Sequence, residues 1–98
     1  MKVNVNAVNF SADRKLVDFV QIRLDKLDKF YDKVVSSDVF FKVENTSDKE
    51  NKIVEVKVNV PGDEFLVKKK GKTFEGAIDL AAESLERQLI KRKEKIRI

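Results

Sequence analysis

The 98-residue chain contains no cysteine and no histidine. Without cysteine no disulfide can form, and without either residue there is no Cys/His metal site. No apolar run approaches the roughly 18–20 residues that span a bilayer. The N-terminal MKVNVNAVNF alternates apolar and polar residues, where a signal peptide would present an apolar block. Ser11 and Ser84 have no imidazole to activate them as nucleophiles. Gly71-Lys72-Thr73 matches the end of a phosphate-binding loop, but Leu66 stands where that motif needs its first glycine. The carboxylates are spread along helix flanks and the 44–55 turn, as solvated surface charges are, and metal-free acid–base chemistry needs them gathered in a cleft. An enzyme is therefore not expected, nor a cofactor, a metal, a small-molecule substrate or a membrane partner. The reading is of a cytoplasmic protein.

What is present suits one compact domain over residues 1–98, since 42% of the residues are apolar. The net charge of +4, from 21 basic and 17 acidic side chains, is a weak signal. Its distribution is stronger. Residues 87–98 sum to +5 and residues 68–72, KKKGK, to +4, which leaves the remainder at −5. Local fields of this kind steer a polyanion more than the total does.

Period-two alternation predicts a strand at Val3–Ala7, a second at Val39–Val43, a third through Val54, Val56, Val58 and Val60, and a fourth from Phe65 towards Gly71. Asn45 to Asn51 and Pro61-Gly62-Asp63 read as turns, making strands two to four an antiparallel meander. A helix is predicted from about Ala12 to Lys33, capped by Ser11 or Asp13. Its apolar residues Leu16, Val17, Val20, Leu24, Leu27, Phe30 and Tyr31 fall within about 140° at 100° per residue. A second helix is predicted from Thr73 to about Lys95, burying Phe74, Ile78, Ala81, Ala82, Leu85, Leu89 and Ile96. The order β-α-β-β-β-α, with one apolar stripe per helix, implies an α+β two-layer sandwich: a four-stranded sheet with both helices on one face. If adjacent, strands one and two are then parallel.

Charge is sorted on both helices. On the first, Asp18, Asp25, Asp28 and Asp32 share one arc, while Lys15, Arg23, Lys26, Lys29 and Lys33 share another with Phe19 and Ile22. On the second, Glu75, Asp79, Glu83 and Glu86 line one flank and Arg87, Lys91 and Lys95 the other. Lys68, Lys69 and Lys70 put adjacent positive charges on both faces of a strand end. Salt-bridge decoration would interleave the signs, so segregation suggests a polyanion, held by contacts that weaken steeply with salt. The architecture resembles double-stranded-RNA-binding domains, and Phe40 and Phe41, being adjacent, cannot form one stacking platform for single strands. The alternative is an interaction module for an acidic protein, with Phe40 and Ile53 as anchors on the open sheet face. For Lys68 to Lys70 a solvated edge that deters aggregation stands beside the RNA-contact reading.

The β-α-β-β-β-α order, Asn9 after the first strand, LVDFVQIRLDKLDKFYDKV at 16–34 and AIDLAAESLERQLIKRKEK at 77–95 resemble the ribosome hibernation promoting factor and ribosome-associated inhibitor family. The likeness extends over nearly the whole chain. It implies a factor that binds the small ribosomal subunit, mainly 16S-type ribosomal RNA, in the channel used by mRNA and tRNA, and so blocks translation on idle ribosomes. Arg23, Lys26, Arg87, Lys91, Lys93 and Lys95 match the family's basic positions and would contact phosphate. Lys29 shares the Lys26 arc and is expected to contact RNA with them, and Lys68, Lys69 and Lys70, where relatives carry a less charged stretch, are expected to add RNA contacts. Ser84 replaces a common lysine. The chain ends at Ile98, so the resemblance is to the short form, expected to be monomeric off the ribosome.

Overall fold

The computed structural model describes residues 1–8, 10–44 and 51–96, with side chains in the last helix as far as Glu94. Asn9, most of the 45–51 turn and Arg97 lie outside the described residues, as do the side chains of Lys95 and Ile96.

Val54, Val56, Val58 and Val60 of β3 (Lys52–Val60) point to one side and are buried, because successive strand residues face opposite ways. Val56 pairs with Val39 of β2 (Ser36–Val43) and with Val67 of β4 (Asp63–Gly71), both antiparallel. β1 (Lys2–Ala7) runs parallel to β2, with Val5 opposite Val39 and Ala7 opposite Phe41. The sheet order is β1-β2-β3-β4. Valine dominates because its branched side chain packs well on a pleated, half-buried surface. At the β3–β4 hairpin, Pro61 leads into Gly62 at φ +78°, a left-handed conformation that favours glycine.

Both helices cover this valine face, giving the expected two layers. α2 (Phe74–Ile96) packs on β3 and β4; α1 (Arg14–Asp25) packs on α2 and touches β1. Each helix runs back along the strand before it, so α1 and α2 are parallel. Leu16, Val20, Leu24 and Leu27 interlock with Ala77, Ile78, Ala81, Ala82, Leu85 and Leu89 in the core. Asp13 caps α1, its carboxylate accepting the Leu16 N–H at 2.8 Å. Thr73 caps α2, accepting the Gly76 N–H at 3.0 Å. Phe74 stacks on Phe10 at 5.2 Å and tilts against Phe41 at 4.8 Å, closing the end of the core.

The first helix is shorter than its periodicity predicts. The α-helix stops at Asp25 and tightens into a 3₁₀ turn, Lys26–Lys29, whose end is marked by the Phe30 N–H donating to the Leu27 carbonyl at 3.0 Å. Residues three apart eclipse in a 3₁₀ turn. The tightening therefore keeps Leu24 and Leu27 in line over the core, and Tyr31 follows them inward. Asp25 and Asp28 meanwhile both reach the Met1 ammonium, at 3.2 and 2.7 Å.

Candidate nucleic-acid interface

An Arg23–Asp79 contact shows which flank of α2 faces α1. The Arg23 Nε donates to Asp79 Oδ1 at 3.0 Å, and the Arg23 side chain is only 22% exposed. Asp79 belongs to the acidic flank of α2, so at 3.6 residues per turn Glu75 and Glu86 also lie on the side towards α1. The opposite flank, bearing Arg87 and Lys91, turns towards β4. There Gln88, Lys91 and Arg92 line one recess with Asp63 and Phe65 of β4.

β4 adds charge to this margin. Lys69 pairs in register with Val54, so it points to the helix side of the sheet and is half-buried. Gly71, two residues on, abuts Ala77; a Cβ there would lie 3.4 Å from the Ala77 nitrogen. Lys69 therefore stands beside the early turns of α2, and Arg87 and Lys91 continue the same edge. Among the described residues, Lys69, Arg87 and Lys91 have no carboxylate partner.

Lys68 and Lys70 face the other way. They sit on the open side of the sheet, in a cross-strand ladder: Lys68 to Glu55 at 3.9 Å, Lys70 to Glu44 at 2.7 Å and Lys57 to Glu64 at 3.0 Å. The same face carries Asp38, which accepts from Asn4 and Asn59 at 3.0 and 3.3 Å. The charges on this face are interleaved, unlike those on α2. Phe40 is 40% exposed there, but Ile53 is only 8% exposed and is not a free anchor.

Lys26 and Lys29 occupy the 3₁₀ turn and are exposed, again without a carboxylate partner among the described residues. They form a second basic group, separated from Arg87 and Lys91 by the acidic flank of α2. Lys93 is exposed, and its helical position puts it on the α1-facing flank. Lys95 is in the last described turn of α2, its side chain outside the described residues.

The sequence did not single out Arg92 or Gln88. Arg92 Nη1 donates to Asp63 Oδ2 at 2.9 Å, Nη2 donates to the Pro61 carbonyl at 3.2 Å, and the guanidinium lies 6.0 Å above the Phe65 ring. Its interaction with the Tyr31 hydroxyl, and after that with Asp63, pushes its pKa up. Arg92 thus ties the end of α2 to the β3–β4 turn, a role that no helical period reveals because the partners lie on another element.

A two-layer β-α-β-β-β-α domain is the class this fold defines, and solved structures share it. A ribosomal subunit interface protein from Coxiella burnetii superposes with a TM-score of 0.83 at 21% identity, covering 96% of this chain and 99% of that one. The N-terminal domain of Protein Y from Thermus thermophilus gives 0.80 at 24% identity, covering 93% and 98%. Residues 3–97 match the family described as Sigma 54 modulation protein / S30EA ribosomal protein, and the chain belongs to that family. A ribosome hibernation promoting factor of Azotobacter vinelandii is 33% identical over 97% of this chain and 85% of its own length. The ribosome hibernation promotion factor of Bacillus subtilis is 32% identical over 98% of this chain, which spans 50% of that protein.

Proposed function

We propose that this protein is a non-enzymatic, cytoplasmic hibernation factor that binds the small ribosomal subunit through 16S-type ribosomal RNA and occupies the channel used by mRNA and tRNA. The kinship with ribosome hibernation promoting factors supports the ribosomal partner. The observation that carries the RNA interface is the basic margin of Lys69, Arg87 and Lys91, without carboxylate partners among the described residues and on the flank of α2 opposite Asp79. Cations without carboxylate partners release no internal ion pair when they meet phosphate. Arginine can also grip phosphate through two parallel hydrogen bonds. Lys26, Lys29, Lys93 and Lys95 add further contacts beyond that margin. The mode of action is steric: a rigid domain, monomeric off the ribosome, fills a space that mRNA and tRNA would need.

The test is co-sedimentation with idle ribosomes at low salt. Wild type pellets with the small subunit, whereas Arg87→Glu with Lys91→Glu stays in the supernatant and melts at the wild-type temperature. Unchanged pelleting of that double variant removes the α2 margin from the interface. The open sheet face, with exposed Phe40, favours a protein ligand as the second reading. A complex that survives nuclease digestion would support it.

A further inference from the structure

Resting on that RNA reading, we infer that the recess between the start of β4 and the last turns of α2 is a subsite for one unstacked nucleobase of the bound RNA. Its lining is Asp63, Phe65, Gln88, Lys91 and Arg92, and its volume is about 230 Å³. That is below the roughly 300–1,000 Å³ of sites for drug-sized ligands. It suits a single planar ring system and is too small for a duplex end.

Each part of the lining has a use for a nucleotide. The Arg92 guanidinium is planar and anchored through two of its nitrogens, Nη1 donating to Asp63 at 2.9 Å and Nη2 to the Pro61 carbonyl at 3.2 Å. Phe65 supports it from one side, with its ring centroid at 6.0 Å. A guanidinium so fixed is a ready stacking surface, since arginine planes and aromatic rings are what splayed-out RNA bases pack against. Its side chain keeps 24% exposure, so a ligand can reach it. Gln88, one turn earlier on α2, carries an amide with no hydrogen-bond partner among the described residues. An amide offers both donor and acceptor, the pairing that a base edge requires. Lys91 is exposed and unpaired at the rim, where the nucleotide's phosphate would lie. Asp63 is already neutralised by Arg92, so its carboxylate does not repel that phosphate.

Amide resonances of the isotope-labelled protein, followed in titrations with the four nucleoside monophosphates and with ribose 5-phosphate, test the site directly. The Gln88 side-chain amide and the backbone of Phe65 are expected to shift with at least one nucleoside monophosphate and to stay still with ribose 5-phosphate. Equal shifts with ribose 5-phosphate, or no shift with any nucleotide, overturn the base subsite. The same shifts with a poly-glutamate peptide overturn it in favour of a general anion site. Ribosome binding provides the second arm. Gln88→Ala should weaken binding about tenfold, the scale of one lost base contact, with the salt dependence and melting temperature unchanged. Wild-type affinity in Gln88→Ala overturns the inference and leaves the RNA reading intact. Failure of wild type to bind ribosomes sinks the RNA reading, and the titration alone then decides the recess.

Discussion

Arg23 and Asp79 meet across two helices in a half-exposed setting, where an ion pair contributes only about 0.2–1 kcal/mol. Arg23→Met should therefore lower stability by roughly 0.5–1 kcal/mol in urea unfolding, with a double-mutant cycle against Asp79→Ala returning most of that as coupling. Its effect on ribosome affinity should be smaller than that of Lys91→Met. The reverse ranking would make Arg23 a phosphate contact. The basic arc that includes Arg23 was legible in the sequence. Its partner was not, because the pairing depends on the stagger of two parallel helices. Ser37 is a second case. It faces the core between Val3 and Val58 in register, fully buried, and its hydroxyl has no partner among the described residues. An unsatisfied buried hydroxyl is a net cost, so Ser37→Ala should stabilise the fold by about 1 kcal/mol, read from the urea midpoint at constant slope.

At the scale of elements, β4 shows what alternation can resolve. Lys68, Lys69 and Lys70 look equivalent in sequence, yet period two sends Lys69 to the α2 side and its neighbours to the open face. The sheet pairing then gives Lys68 and Lys70 the carboxylates of Glu55 and Glu44. Lys69→Gln should reduce the log–log salt slope of ribosome binding by about 0.9, the value of one phosphate contact. Lys68→Gln should leave it unchanged; equal losses would mean that the ladder opens on binding. The β-α-β-β-β-α order, the apolar stripes and Asp13 as one of two candidate caps were legible because each rests on local period or local hydrogen bonding. The end of α1 was not. Leu24, Leu27 and Phe30 are spaced by three, a 3₁₀ period, but Leu27 and Tyr31 are spaced by four, so the residues fit a continuing α-helix as well. Only packing over the core chose the tighter turn.

For the whole molecule, what matters is where charge is left unpaired, since the total of +4 is small. On the open sheet face Lys57, Lys68 and Lys70 have carboxylate partners, whereas among the described residues Lys2 and Lys42 on that face, the α2 margin and the 3₁₀ turn have none. Arg87 and Lys91 stand about 6 Å apart along α2 at 1.5 Å per residue, and Lys69 beside the early turns of α2 lengthens their line, so the basic margin is an edge rather than a point. A polyanion laid along that edge displaces several counterions at once. Ribosome affinity should therefore fall steeply between 50 and 200 mM salt, by about 0.9 in the log–log slope per phosphate engaged. Arg87→Gln with Lys91→Gln should flatten that slope by about 1.8. Glu44→Gln with Glu55→Gln removes two negative charges from the ladder, and it should steepen the slope only if this part of the open face also lies against RNA. A slope unchanged by this second pair, but flattened by the first, puts phosphate on the α2 margin and keeps it off the ladder. A slope indifferent to both pairs would mean that shape and apolar contact, not phosphate, hold the protein on its partner.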